Sequence, residues 1–570
     1  MATPLSPQPY TLLDLPDELK LQIVNNLDKK RDLYNLSRTC RVLEDMTMRR
    51  LYLNVDLGIP LTGARHSRAP ILRPPVTQSM RHLAIRSSAG DITRSFSSSR
   101  HSPWGPESAR DLLMNIFESI SPNQLSTFKF LHPTPLRGDV LDVLTTQHNS
   151  SLQQLSFYEI DTFVAENLVP TNLSVLDSRT VNDGEVVSKI ITSNRGTLQQ
   201  LRLGQEKHLL SGYGIHRTAF LRHLPQPSQN FFTSAYGLEN MPRLRDLSLH
   251  GLNLIALRPS SIPQALAFCR LERLCLESCP GSAELLESIA ATFHWSSTSA
   301  HAPSPRQSPL LKHFILRSEE PSNALKDSLI RFLCSFSGLE TLSLLFENAT
   351  ILERPSTFLC DHGSTMRSLV LESRIQPREH LSLDTSRPFG VGGYSQDLWE
   401  ESINDIARLC PNLVELGMGF PWNDEIVRIR RTLLPTLKHL RTIHIRNFPE
   451  NNVFSQLGDY TIKEYATKFI EWVFPALVGG ARPALEHFAM GPTLYETRMN
   501  MHPGMYSSAG NNRSRSSAPE YLRTHHFAMD WAKTRFGRWS PMITPVTERW
   551  VEESEDMRPL AGIFEQVWLR

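Results

Sequence analysis

Residues 271–279 read LERLCLESC, and the same spacing recurs as LRDLSL at 244–249 and LETLSL at 339–344. In each stretch leucine takes the first, fourth and sixth positions, as in Leu271, Leu274 and Leu276. The last two leucines are separated by one residue, which suits a strand with one buried face, because successive strand side chains point to opposite sides. The pattern returns at Leu152-Leu155-Phe157 and Leu198-Leu201-Leu203. Looser copies stand at Met80-Leu83-Ile85, Leu125-Phe128-Phe130, Leu311-Phe314-Leu316, Met366-Leu369-Leu371, Leu413-Leu416-Met418, Leu440-Ile443-Ile445 and Leu485-Phe488-Met490. One copy is within reach of chance; a series of this length is not.

Starts at Leu244 and Leu271, at Leu339 and Met366, and at Leu413 and Leu440 lie about 27 residues apart, a spacing typical of stacked repeat units. Longer gaps coincide with inserted segments at 295–309 and 374–396. Helical periodicity fills windows between the strands, at 110–120, 185–194, 283–293, 324–336 and 402–410. A strand and helix of this size cannot bury their apolar faces alone, so neighbouring turns must stack and share a core. The expected fold class is α/β: an irregular solenoid with a parallel strand array and outer helices, over residues 57–498. This also accommodates 570 residues, more than one ordinary core supports.

Composition narrows the function classes. Sixty basic against 58 acidic side chains leave a formal charge of +2, so no global field attracts nucleic acid or an anionic membrane. Seven cysteines, an odd count at irregular spacing, do not form a disulfide framework and point to a reducing compartment, cytoplasmic or nuclear. Met1–Tyr10 has no basic patch followed by an apolar stretch, and no window offers the roughly 18 apolar residues of a membrane span. Neither a nucleic-acid nor a membrane partner is expected.

Ahead of the repeats, residues 13–27 read LDLPDELKLQIVNNL, with Leu15, Leu19, Ile23 and Leu27 at every fourth position and Val24 beside them. This is one helical face, entered through Asp14 as a cap and Pro16 in the first turn, where a missing N–H costs nothing. Asp17 and Glu18 suit the positive end of the helix dipole. A second short helix starts at Asp32 with Leu33, Leu36 and Cys40 on one side, and a third runs from about Arg41 through Leu43 and Met46. Leu51, Leu53, Val55 and Leu57 then alternate with polar residues, as in a half-buried strand.

The segment resembles the F-box in its Leu15-Pro16, Glu18-Leu19, Ile23, Leu27, Asp32-Leu33, Cys40-Arg41 and Leu51-Tyr52. It departs from the family at Leu43, where many members have tryptophan, and at Thr39, where valine is frequent. With the repeats, the chain is similar to fungal-type F-box proteins of the leucine-rich-repeat class, whose asparagine or cysteine after the strand is matched at Cys279 but mostly missing elsewhere. The resemblance implies a three-helix domain at 12–56, preceded by a flexible terminus at 1–11, that binds a Skp-type adaptor and through it a cullin-RING ubiquitin ligase. It further implies that Leu15, Pro16, Leu19, Ile23, Leu27 and Leu33 dock on the adaptor, and that the repeats bind a protein target.

Catalytic signatures are missing: no Walker-type phosphate loop, no G-x-S-x-G elbow and no H-E-x-x-H helix. Gly390-Val391-Gly392-Gly393 has neither the strand before it nor the helix after it that phosphate binding needs. Cys269, Cys275 and Cys279 with His294 lack a close C-x-x-C pair, so core or loop roles are expected rather than zinc. No enzyme activity, cofactor or metal is expected. The reading is a substrate-recognition subunit of an SCF-type ubiquitin ligase; the alternative is a solenoid scaffold whose F-box-like helices deliver nothing to a ligase.

If the leucines face inward, the intervening positions form the target face: Arg202, Arg245 and Ser248, Arg273 and Cys275, Thr341 and Ser343. Arg202, Arg245 and Arg273 are the candidate target-binding residues, forming a basic stripe if the turns stack in register. Segments 87–108 and 499–519, rich in serine, arginine, glycine and proline, are expected as flexible loops. Residues 520–570, which hold Trp531, Trp539, Trp550 and Trp568, are expected as an aromatic-rich cap.

Overall fold

The computed structural model describes residues 12–27, 30–59, 74–87, 106–132, 135–161, 168–179, 184–204, 241–252, 254, 268–298, 309–318, 322–347, 354–374, 396–418, 437–445, 462–473, 482–491, 524–535, 537 and 539–547. The chain divides into two compact units, Met1–Tyr236 and Gly237–Arg570.

The first unit opens with three helices, α1 (Asp17–Asn25), α2 (Lys30–Ser37) and α3 (Arg41–Leu51). Pro16 stands at the N-cap of α1, where its carbonyl accepts from the Leu19 and Lys20 amides at 3.1 Å each. Val24, Leu33 and Leu43 form the centre shared by the three helices and are all buried. Arg50 Nε donates to Leu27 O at 3.3 Å, and Thr47 Oγ1 to Leu43 O at 2.6 Å.

Six strands follow in hydrogen-bonded order: β1 (Asn54–Ile59), β2 (His82–Ser87), β3 (Thr127–Leu131), β5 (Gln154–Phe157), β7 (Val175–Ser178) and β8 (Gln200–Gly204). All pair in parallel. Beside them β4 (Leu136–Arg137) and β6 (Ile160–Asp161) make a small parallel pair of their own. Register places Leu83, Phe128, Leu155, Leu176 and Leu201 in one row, every one fully buried. Helices cover this row: the Phe117 ring of Pro106–Ser119 meets Phe128 edge-on at 5.3 Å. Asn194, ending the helix Gly184–Asn194, latches one turn to the next by accepting from the Leu173 amide at 2.7 Å and donating to Pro170 O at 2.6 Å.

The second unit continues the motif in β9 (Asp246–His250), β10 (Arg273–Glu277), β11 (His313–Ser318), β12 (Thr341–Glu347), β13 (Ser368–Arg374), β14 (Glu415–Met418), β15 (Thr442–Ile445) and β16 (His487–Met490), again all parallel. Its core row runs Leu247, Leu274, Phe314, Leu342, Leu369, Leu416, Ile443 and Phe488. Helices again cover it, with Phe332 of Asn323–Leu333 5.0 Å from Phe314 and Phe469 of Ile462–Val473 stacked 5.4 Å from Phe488. Ser322 caps Asn323–Leu333, its hydroxyl accepting from the Leu325 amide at 3.1 Å. The α/β solenoid expected from the L-x-x-L-x-L series is thus the fold of both units.

The parallel order ends where β17 (His525–Lys533) pairs antiparallel with β16 and with β18 (Trp539–Val546). The aromatic region 520–570 contributes this pair; the Trp531 indole donates to Leu485 O at 2.9 Å, and the Lys533 ammonium lies 5.9 Å from the Trp539 ring centre. Trp550 and Trp568 lie outside the described residues, as does the segment 499–519. β18 carries Pro541 and Pro545. Two segments expected as loops are helical at their edges: Pro106–Ser119 begins inside 87–108, and Ser282–Thr298 runs into 295–309 because its apolar spacing continues through Phe293.

Candidate functional site

On α1 the four-residue stripe turns outward. Val24 and the Lys20 stem face the core, while Leu19 is 45% exposed, Leu21 46% and Ile23 37%. Neighbouring residues on a helix are about 100° apart, so a core contact at Val24 rotates Ile23 and the residue a turn before it toward solvent. Leu13 adds to the same end of the domain at 49% exposure. Pro16 is exposed, and Leu15 and Leu27 are partly so. Leu33 is corrected: at 3% exposure it is a core residue between the helices and presents nothing to an adaptor. A cleft of about 380 Å³ opens between α2 and α3, with Met48 and Leu51 among its apolar lining and Arg38, Arg41 and Glu44 among its charged one.

The strand faces opposite the leucines form the second candidate surface. The stripe of Arg202, Arg245 and Arg273 is corrected, because the three residues hold three different motif positions. Arg202 lies between the last two leucines of its repeat, and Arg273 precedes the first of the corresponding pair. Arg245 stands one residue earlier again, since Asp246 is the partner of Arg273 in the ladder. Arg245 instead pairs with Glu272 at 3.7 Å. Ser248 and Cys275, expected on the open face, are wholly buried, being short side chains among longer neighbours on strands only about 4.8 Å apart.

At β9 and β10 the second unit's face opposite the core row is therefore closed, with polar groups beneath the surface. His250 Nδ1 lies 3.6 Å from Glu277 Oε2, and the Cys275 thiol donates to Glu277 Oε1 at 3.4 Å. Burial pushes the Glu277 carboxyl up, but the His250 hydrogen bond and the charges of His250 and Arg317 outweigh it and hold the carboxyl below its ordinary value. Ser368 donates to Glu415 at 2.5 Å, and the His444 ring nitrogen Nε2 lies 2.8 Å from Gly491 O. His487 and His526 stack at 5.4 Å.

Burial raises the thiols of Cys269 to about 11 and of Cys279 and Cys410 to about 12, which keeps them protonated and poor as nucleophiles or metal ligands. Among the described residues no group of three or more His, Cys, Asp or Glu is arranged to hold a metal, and no helix is long and apolar enough to cross a membrane. Gly390–Gly393 lies outside the described residues.

The sequence pattern did not single out Arg86, Lys129, Asp177 and Arg179 on the first unit's face. Lys129 was legible, because it stands between Phe128 and Phe130 in a motif copy. Asp177 was not, because its repeat ends in Ser178 rather than leucine.

Residues 12–57 match the F-box-like family model. Among solved structures, the chain is similar to the leucine-rich repeat-containing protein LegL7 from Legionella pneumophila, at 13% identity and a TM-score of 0.29, over 66% of this chain and 86% of that one. No curated protein matches. The helices α1 to α3 thus lie in an F-box-like domain at residues 12–57, and the strands and helices after it repeat in parallel register as a leucine-rich α/β array.

Proposed function

We propose that this protein is the substrate-recognition subunit of an SCF-type ubiquitin ligase, its F-box-like domain binding a Skp-type adaptor and its repeat array binding the protein to be modified. The observation that carries the reading is the outward apolar stripe of α1, where Leu19 and Ile23 stand exposed one turn apart on a helix whose core contact is made by Val24, with Leu21 exposed on the other flank of that contact. Exposed aliphatic groups clustered on one short helix favour a partner that removes them from water, at about 25 cal/mol per Å² covered. The cleft between α2 and α3 offers a further place for a partner side chain on the same domain.

On this reading the chain does no chemistry of its own. It raises the effective concentration of target lysines near an activated ubiquitin held by the recruited cullin-RING machinery, in a reducing cytoplasmic or nuclear compartment. The low reactivity of the buried thiols is compatible with such a role.

The test is co-purification of the full chain with a Skp-type adaptor and a cullin, comparing the parent with the Leu19→Asp/Ile23→Asp variant. Recovery of both partners by the parent, and of neither by the variant at an unchanged melting temperature, is the expected result. Adaptor without cullin would favour the scaffold alternative, and equal recovery by parent and variant would move the docking site off α1.

A further inference from the structure

Each unit has a strand face opposite its core row, a face that includes Leu131 in the first unit and Leu345 in the second, and the two faces differ in charge. In the first unit the row Asp56, Ala84, Lys129, Ser156, Asp177, Arg202 runs across six neighbouring strands in register. Arg86 follows Ala84 on the same face of β2, and Arg179 follows Asp177 just beyond β7, where its amide donates to Phe157 O at 3.1 Å. Among the described side chains, four basic groups thus share this face with two carboxylates, Asp56 and Asp177. Asp56 is engaged by Arg86 at 3.1 Å.

Asp177 sits among the remaining three cations. Burial raises its carboxyl pKa, and Arg179, Arg202 and Lys129 only partly oppose that. The Lys129 ammonium is pushed the other way, first by burial and then by Arg86, Arg202 and Arg179, with Asp177 alone among its neighbours acting to raise it. Both shifts come first from burial; the excess of positive charge is read from the residues themselves, three cations standing around the single carboxylate of Asp177. On β9 to β15 of the second unit, by contrast, Arg273 and Arg317 face Asp246, Glu277 and Glu415 among the described side chains, so no cationic excess exists there.

We propose that the face formed by Arg86, Lys129 and Arg202, with the charge of the buried Arg179 added to theirs, is a docking surface for an extended, carboxylate-rich segment of a target protein. The proposal rests on the receptor reading above and gives the target its chemistry. From β2 to β8 the face spans five strands, roughly 19 Å at about 4.8 Å per strand, the reach of about six extended residues. Guanidinium groups at Arg86 and Arg202 offer paired donors that match a carboxylate in two contacts, and Lys129 adds a point charge between them. Asp177 acts as a positioning residue, holding Arg179, Arg202 and Lys129 together against their mutual repulsion.

The experiment measures binding of a fluorescein-labelled oligoglutamate peptide to the full chain by anisotropy at low and moderate salt, with oligoglutamine as the control. Adaptor co-purification is scored on the same preparations. The parent is expected to bind oligoglutamate and not oligoglutamine, with affinity falling as salt rises. Lys129→Glu/Arg202→Glu is expected to weaken binding at least tenfold, Lys129→Gln/Arg202→Gln by less, and Arg245→Glu/Arg273→Glu in the second unit not at all. Should the reversed variant lose its fold, the glutamine pair carries the decision.

Oligoglutamate affinity that is unchanged in the folded glutamine pair, or equal for both peptides, would overturn the surface while leaving adaptor docking to stand on its own result. Peptide binding with the expected pattern, alongside failure of the adaptor to co-purify, would overturn the receptor reading and retain the surface.

Discussion

Leu19 and Leu274 belong to equally regular apolar series, yet one is 45% exposed and the other 1%. The repeat leucines are enclosed because neighbouring parallel strands place a large apolar residue at the same level, Leu247 and Phe314 on either side of Leu274, and helices lie over the row. The helix α1 packs chiefly on α3 and buries Val24, leaving the stripe beside it without cover among the described residues. An apolar period identifies a face; the number of neighbours decides whether the chain itself covers that face.

The contrast is broken most severely by truncation. Leu274→Ala or Leu342→Ala is expected to cost about 2–5 kcal/mol in chemical denaturation, whereas Leu19→Ala should stay within about 0.5 kcal/mol of the parent. Similar costs at all three sites would erase the distinction between enclosed and presented leucines.

Within the F-box-like domain the same division can be sharpened. Leu33→Ala removes a core group and should destabilise the three helices by about 2 kcal/mol or more. Any loss of adaptor binding that follows would be recovered on cooling, which restores the folded fraction. Leu19→Asp/Ile23→Asp should lose adaptor binding at every temperature with the helices intact. Circular dichroism melts alongside pull-downs separate the two behaviours.

A third, weaker effect concerns the end of the second unit. Burial, and then the charge of His526, lowers His487 to about 3; burial, and then the charge of His525, lowers His526 to about 4. Both rings are therefore neutral in the fold, while the unfolded chain takes up protons near the ordinary value of 6.5. Their contribution is full above that value and is lost as pH falls toward about 4 and then about 3. Hydrogen exchange across an acid series should show β16 to β18 opening before β9 to β12, with His487→Gln/His526→Gln flattening the difference. Uniform acid opening along the unit would contradict this assignment.

The smallest expected change is Arg245→Ala, which removes a partly exposed ion pair with Glu272 and should alter stability by no more than about 1 kcal/mol.

These outcomes follow the legibility of the sequence. The strands could be placed from it because L-x-x-L-x-L records both local conformation and burial, and every copy named from it falls on a strand from β2 to β16. The repeat at Leu173, Leu176 and Ser178 escaped because a buried serine fills the last core position, a substitution tolerated where the row narrows to a small side chain. The antiparallel pair β17 and β18 escaped because their apolar residues, Phe527, Met529 and Trp531, alternate without the leucine signature. The site was less legible than the fold. Whether Arg202, Arg245 and Arg273 align depends on ladder register, which leucine spacing sets only after the offset of each arginine within its repeat is counted.

The two prolines of β18 bear on a different matter, the fate of the open edge of a stacked sheet. A row of free amide and carbonyl groups is a template on which another chain can add a strand, and a long array offers such a template at its ends. Pro541 and Pro545 have no N–H to donate, and two such gaps within eight residues interrupt any continuous ladder along β18. The last strand among the described residues is thus a poor seed for edge-to-edge aggregation, and replacing both prolines with valine would be expected to shorten the time the protein stays monodisperse at high concentration.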